Sequence, residues 1–69
     1  MTYTLECERE DDGRWIAEVM DLPGVLAYGS TRDEAIRRAE ALALRVIAEQ
    51  LEHGETQART ITIALPAAA

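Results

Sequence analysis

Residues 12–35, DGRWIAEVMDLPGVLAYGSTRDEA, contain two turns and the start of a helix, and this segment decides the fold. Asp12-Gly13 is a strong hairpin signal, because alternating segments flank it and glycine adopts positive φ at no steric cost. Pro23-Gly24 predicts a second turn, since proline presets φ at one position and glycine takes the next with positive φ, as in type II. These two turns predict a meander of three antiparallel strands.

Alternating side chains on both sides of the turns predict strands with one buried face. The predicted strands cover residues 3–8, 14–20, 25–29 and 60–65. The side chains that share one face of their strand are Tyr3, Leu5 and Cys7, then Trp15, Ala17 and Val19, and finally Ile61, Ile63 and Leu65. Ile16 and Met20 also give the other face of the second strand some apolar character.

A long helix is predicted after the third strand, and Gly54 is its natural end, because glycine readily adopts the left-handed conformation there. The helix begins with a capping box, either Thr31 with Glu34 or Ser30 with Asp33 one residue earlier. The sequence does not choose between the two registers.

Apolar side chains cover almost half of the helix circumference at the helical period, which is more than a small sheet needs. The central stripe is formed by Ile36, Ala39, Ala43, Val46 and Ile47. Leu42 widens it on one side, and Leu44 and Leu51 widen it on the other. Either the sheet curls around the helix, or these leucines contact another chain. Leu44, Leu51, Ile16 and Met20 are therefore the predicted interface of a homo-oligomer, a dimer or a tetramer.

The resulting fold class is α+β, a two-layer β-β-β-α-β arrangement in which one helix packs on an antiparallel meander. The last strand follows the helix, so it could pair in parallel with an earlier strand through a right-handed crossover. One domain is predicted over residues 1–66, with a disordered tail at residues 67–69.

Composition indicates a thin core and an acidic surface. The chain has 69 residues, a formal charge of −6, one Trp, no Phe, and twelve alanines within its 48% of apolar residues. A core this small needs further support, which favours oligomerisation or docking onto a partner. The charge disfavours non-specific binding to nucleic acid or to an anionic membrane. No apolar run approaches the ~20 residues of a membrane span, and no signal-peptide pattern is present, so we expect a cytoplasmic protein.

Catalytic chemistry is not predicted. The common nucleotide-binding, hydrolase and metalloprotease motifs are absent, and Cys7 and His53 alone are a poor basis for a metal site. We expect Cys7 to be a buried, inert thiol. Metal-dependent nuclease chemistry needs several converging carboxylates, whereas the acids here are spread over a hairpin tip, a turn and the outer face of the helix. No catalytic residue, metal or cofactor is therefore expected.

Two motifs within residues 12–35 resemble motifs of the HicB antitoxin family. That family shows a G-aromatic-x-A-x-x-P-D-L-P-G-C block and then G-x-T-x-x-E-A at a helix start, which Asp21-Leu22-Pro23-Gly24 and Gly29–Ala35 match in residue and spacing. Met20 and Val25 depart from it, where Pro and Cys are usual. The resemblance implies a partial RNase-H-like domain without nuclease chemistry. It also implies a partner, a small basic HicA-type toxin that cleaves mRNA and is neutralised when its active surface is covered.

Many HicB-like proteins also carry a C-terminal DNA-binding segment. The chain stops after its fourth predicted strand, so we expect no direct binding to nucleic acid here.

The leading hypothesis is therefore an acidic antitoxin that occludes a basic toxin. Its predicted partner-binding residues are Asp11, Asp12, Trp15, Asp21, Leu22, Pro23 and Gly24. The alternative is a stand-alone homo-oligomeric domain with a scaffold or small-ligand role and no toxin partner.

Overall fold

The computed structural model describes residues 2–55 and 61–66, and its elements follow the predicted order β-β-β-α-β. The elements are β1 (Thr2–Arg9), β2 (Trp15–Val19), β3 (Leu26–Gly29), α1 (Arg32–Glu52) and β4 (Thr62–Ala64). The predicted α+β fold is therefore confirmed. The predicted tail at residues 67–69 lies outside the described residues.

The four strands form one mixed sheet in the order β3-β2-β1-β4. β1 pairs antiparallel with β2, and β2 pairs antiparallel with β3. β4 pairs in parallel with β1, as the crossover prediction anticipated, but it is shorter than predicted because it pairs only with Thr2–Thr4. β3 and β4 are thus the two edge strands.

The first hairpin is closed by a three-residue loop, Asp11–Gly13. The Gly13 N–H donates to the Glu10 carbonyl at 3.0 Å, and Gly13 itself has φ 91°. A turn followed by a left-handed glycine is a common three-residue hairpin connection, and it sets the strand register. Arg9 consequently lies opposite Trp15, and side chains with odd numbers in both strands share one face.

The second turn has the predicted chemistry. The Val25 N–H donates to the Leu22 carbonyl at 3.1 Å, and Gly24 between them has φ 81°. A Val19 N–H bond to the Val25 carbonyl, at 3.0 Å, then starts the pairing of β2 with β3. The turn therefore reverses the chain directly into the edge strand.

The start of α1 resolves the capping alternative in favour of Thr31. The Thr31 Oγ1 accepts a hydrogen bond from the Glu34 N–H at 3.1 Å, and Thr31 has the extended backbone of an N-cap. The Glu34 carboxylate accepts from the Ser30 N–H at 3.1 Å, one residue before the position expected in a capping box. The helix ends as predicted, at Gly54 with φ 69°.

The core lies between α1 and the face of the sheet beneath it, where the helix packs over β3, β2 and β1. Its buried residues are Tyr3, Leu5, Ala17, Val19, Leu22, Val25, Ala35, Ile36, Ala39, Ala43 and Ile47. Leu42 is half-buried, whereas Leu44 and Leu51 remain 50% and 41% exposed. The sheet therefore does not curl far enough to cover both sides of the apolar arc.

Gly29 is the point of closest approach between the end of β3 and the start of α1. A Cβ atom at this position would lie 2.5 Å from the Ala35 backbone nitrogen and 3.0 Å from the Glu34 carbonyl carbon. Backbone atoms cannot move aside as a flexible side chain can, so any larger residue forces the helix away from the sheet.

We predict that Gly29→Ala lowers the free energy of unfolding by roughly 1–3 kcal/mol, the usual cost of overpacking. The exposed neighbour Ser30→Ala is the matched control, with an expected change within about 0.5 kcal/mol. Urea denaturation followed by the fluorescence of Trp15 measures both. Equal stability of the two variants would show that the helix does not depend on this contact.

Candidate protein-binding surface

The face of the sheet opposite α1 is covered by no other element of the described residues. Because Ala17 and Val19 are buried under the helix, the alternate residues of β2 point the other way. The register places β1 and β3 side chains beside them. We call this surface the open face and define it as Glu6, Glu8, Ile16, Glu18, Met20, Leu26 and Tyr28.

Two carboxylates stand directly opposite each other on the open face. Glu6 of β1 is the cross-strand partner of Glu18 of β2, and both side chains are exposed. Glu8 lies two residues further along β1 on the same face. Like charges at directly opposite positions destabilise a sheet by up to about 1 kcal/mol. This arrangement disfavours the isolated fold and favours contact with positive charge.

Exposed apolar side chains border these carboxylates on the β3 side. Tyr28 pairs with the half-buried Ile16, and Leu26 pairs with Glu18. Leu26 and Tyr28 are 37% and 38% exposed, and Met20 is 55% exposed. Large apolar residues beside charges are the composition of a protein-binding surface, in which Tyr is a frequent anchor.

At the hairpin end of the open face, Arg14 contacts both Asp12 and Tyr28. The Asp12 carboxylate accepts from the Arg14 backbone N–H at 3.0 Å and from its Nε at 2.7 Å. The Arg14 guanidinium lies 4.6 Å from the centre of the Tyr28 ring, which is cation–π distance. The Arg14 backbone N–H first, and then its side chain, lower the pKa of Asp12 from its ordinary value of 3.8. Asp12 is thus engaged within the chain while remaining exposed.

The free edge of β3 is partly shielded by the helix. The hydrogen bond from the Val19 N–H to the Val25 carbonyl fixes which residues of β3 bond to β2. In this pattern the backbone N–H and carbonyl groups of Leu26 and Tyr28 face away from β2. The Arg38 Nη1 of α1 donates to the Tyr28 carbonyl at 3.1 Å and lies 3.4 Å from the Glu34 carboxylate. A charged side chain on the edge is a common protection against strand addition, so the exposed side chains are the more accessible feature.

The predicted partner-binding residues fall into two groups at opposite ends of β2. Asp11 and Asp12 are exposed at the hairpin tip, and Trp15 is half-buried on the helix side of the sheet. The turn Asp21–Gly24 lies beyond the other end of this five-residue strand, roughly 15 Å away at ~3.3 Å per residue. Leu22 belongs to the core. The structure therefore does not bring this set together as one site.

Asp21 has a role that the sequence interpretation missed. It was predicted as a partner contact, and in the structure its Oδ2 accepts a hydrogen bond from the Thr4 N–H of β1 at 2.9 Å. The Met20 N–H donates to the Thr4 carbonyl at 3.3 Å. The carboxylate therefore extends the β1–β2 ladder past the point where the chain turns away. Only the pairing of β1 with β2 brings Asp21 close to Thr4, and the turn motif alone does not reveal that pairing.

The predicted oligomer residues also separate. Ile16 and Met20 lie on the open face, whereas Leu44 and Leu51 are on α1, on the other side of the sheet. They cannot form one continuous interface. The open-face residues Glu6, Glu18, Leu26 and Tyr28 were not predicted as site residues, although the Asp-Gly hairpin register could have aligned Glu6 with Glu18.

The described residues offer few groups for a metal site, a ligand pocket or a reactive thiol. Within residues 2–55 and 61–66, no group of three or more His, Cys, Asp or Glu side chains could hold a metal ion. No pocket and no membrane-spanning helix occurs in the same ranges. Cys7 is half-buried rather than fully buried, and burial is the main cause of its raised thiol pKa. A raised pKa disfavours the reactive thiolate.

We predict that Asp21→Ala lowers the free energy of unfolding by about 1 kcal/mol, because the Thr4 N–H loses its partner. Asp11→Ala, at the exposed hairpin tip, is the control and should change stability by less than about 0.5 kcal/mol. Amide exchange at Thr4 should accelerate in the Asp21 variant alone. Unchanged protection of that amide would contradict the role assigned to Asp21.

We predict that NMR titration of the Asp12 carboxyl gives a midpoint below 3.8. A lowered pKa means that the stabilising contact is present at neutral pH and is lost as acid protonates the carboxylate. In Arg14→Gln the pKa should rise only partly, because the backbone N–H remains. A wild-type midpoint at or above 3.8 would contradict the observed geometry.

Comparison with solved structures gives a match to the crystal structure of the N-terminal domain of the Burkholderia pseudomallei antitoxin HicB. The TM-score is 0.71 at 26% sequence identity, and the match covers 84% of this chain and 68% of that chain. No protein-family model and no curated protein matches the sequence. The resemblance predicted from the two motifs is confirmed by this structure. The chain is HicB-like in fold.

Proposed function

We propose that this protein is an antitoxin that binds a small basic ribonuclease toxin of the HicA type and occludes it with the open face. The similarity to the HicB N-terminal domain supports an antitoxin-like role. The observation that carries the proposal is the Glu6–Glu18 pair beside exposed Leu26 and Tyr28. A basic partner would relieve the repulsion of this pair, and its apolar groups would cover the two exposed side chains.

In such a complex, the charged side chains of the open face affect the association rate and its apolar side chains affect the affinity. The carboxylates, together with the formal charge of −6, accelerate encounter with a positive partner and select against acidic ones. Most of the affinity comes from a few buried anchors, for which Tyr28 and Leu26 have suitable chemistry and position. Asp11 at one end of β2, and Asp21, Pro23 and Gly24 at the other, are proposed contacts at the rim.

The proposed action is binding rather than catalysis. Glu6, Glu8 and Glu18 project from a sheet surface towards solvent, where they can meet cationic side chains over a broad area. Covering the surface of a ribonuclease requires shape and charge, and no chemical step on the part of this chain. Because the toxin implied by the resemblance acts on mRNA, we place the complex in the cytoplasm.

We predict that Glu6→Gln/Glu18→Gln slows association with a HicA-type toxin encoded beside this gene by roughly tenfold at low salt. The control Glu49→Gln/Glu52→Gln removes the same charge from the outer face of α1 and should leave the association rate within about twofold. Surface plasmon resonance at several salt concentrations measures both. The wild-type rate should fall more steeply with salt than that of the open-face variant.

Growth rescue provides the functional readout. Co-expression of this protein should restore growth to cells that express the toxin, and Leu26→Asp/Tyr28→Asp should abolish the rescue while the protein stays folded. A toxin that neither co-purifies with the native chain nor is neutralised by it would refute the antitoxin role and favour the toxin-independent oligomeric alternative.

A further inference from the structure

Arg14 is a basic residue that the first hairpin places on the same side of the sheet as the open face. It directly precedes β2, and the even-numbered residues of this strand point away from α1 because the odd-numbered Ala17 and Val19 are buried beneath the helix. The Glu10 N–H donates to the Arg14 carbonyl at 2.7 Å, so the pairing of β1 with β2 extends to this residue. A positive charge therefore lies at the hairpin end of an acidic surface.

The Arg14 guanidinium has two possible neighbours from this position. Glu8 is a diagonal neighbour across the strands, because Glu8 pairs with Ile16 and diagonal neighbours in a sheet lie ~7–8 Å apart. In the structure, the guanidinium instead lies over the Tyr28 ring, 4.6 Å from the ring centre. The open-face carboxylates, Glu8 included, form no ion pair among the residues that the structure describes.

Asp12 holds the Arg14 side chain in this orientation. The Asp12 Oδ2 accepts a hydrogen bond from the Arg14 Nε at 2.7 Å, and its Oδ1 accepts one from the Arg14 backbone N–H at 3.0 Å. Because the guanidinium is planar, a bond at Nε restrains the plane of the whole group. Exposed ion pairs are generally weak because two long side chains must be ordered. Here the backbone N–H already orders the carboxylate, so this cost is small.

Tyr28 is held at its backbone as well as at its ring. The Arg38 Nη1 donates to the Tyr28 carbonyl at 3.1 Å, and Tyr28 pairs with Ile16 of β2. Tyr28 nevertheless remains 38% exposed. An anchor whose conformation is already fixed loses less conformational freedom on binding, so more of its contact energy contributes to affinity.

We propose that Arg14, oriented by Asp12, is a positioning residue for partner binding, which holds the Tyr28 ring as an anchor and leaves the open-face carboxylates unpaired for a basic protein. This inference rests on the proposed function, because it concerns the same surface. It also specifies the partner's chemistry at Tyr28. Since one cation already lies over the ring, a second cation gains less there. The partner's apolar or hydrogen-bonding groups therefore meet Tyr28, and its basic side chains meet the glutamates.

Arg14→Gln distinguishes positioning from charge, because the two predict opposite effects on affinity. The variant makes the open face more acidic, so charge alone predicts tighter binding of a basic partner. Positioning predicts that the HicA-type toxin dissociates about threefold to tenfold faster, while its association rate does not fall. Surface plasmon resonance measures both rates. The matched control Arg45→Gln removes the same charge from the exposed outer face of α1 and should dissociate within about twofold of the native rate.

A double-mutant cycle tests whether Arg14 acts through the Tyr28 ring. In a Tyr28→Leu background, which keeps an apolar side chain, Arg14→Gln should change the dissociation rate by less than about twofold. An equal effect of Arg14→Gln in both backgrounds, or a native dissociation rate in the single variant, would overturn the positioning role and leave the proposed function standing. A native chain that does not bind the toxin would refute the proposed function, and this inference with it.

NMR of the free protein tests the positioning without any toxin. The native chain should show nuclear Overhauser contacts between the Arg14 side-chain protons and the Tyr28 ring protons. These contacts should weaken in Asp12→Asn, because the Arg14 Nε–H loses its charged acceptor. Their absence from the native protein, or equal intensity in the two proteins, would contradict the role of Asp12 in orienting Arg14.

Discussion

The close packing of α1 on one face of the sheet is the interaction on which the rest of the structure depends. Alanines at positions 35, 39 and 43 and the absence of a side chain at Gly29 let the helix approach the strands closely. The helix therefore covers three strands with small residues and only a few large ones. The opposite face of the sheet is covered by no other element among residues 2–55 and 61–66. Leu44 and Leu51, at the margin of the apolar arc, are left exposed by the part of the chain that the structure describes.

These two exposed surfaces differ in chemistry. The open face combines the opposed Glu6 and Glu18 with Leu26 and Tyr28, so it suits a basic protein with some apolar surface. The margin of α1 instead carries Leu44 and Leu51, two exposed apolar side chains.

Local sequence patterns predicted the elements well because their causes are local. Gly13, Gly24 and Gly54 all have the positive φ that their turn or cap positions require, and Thr31 accepts the capping hydrogen bond. The candidate site was harder to predict, because it depends on pairing between distant segments. The bond from Thr4 to Asp21 and the opposition of Glu6 to Glu18 follow from strand register. The predicted site instead joined the conspicuous turn residues of both ends of β2, which the sheet keeps apart.

We propose that the open face of the sheet, rather than α1, contacts a HicA-type toxin. Amide chemical-shift mapping of the labelled protein, titrated with a HicA-type toxin, distinguishes these two surfaces. We expect the shifts to concentrate at Glu6, Glu18, Leu26 and Tyr28 and to spare Leu44 and Leu51 on α1. Shifts centred on Leu44 and Ala48 with an unperturbed open face would contradict it.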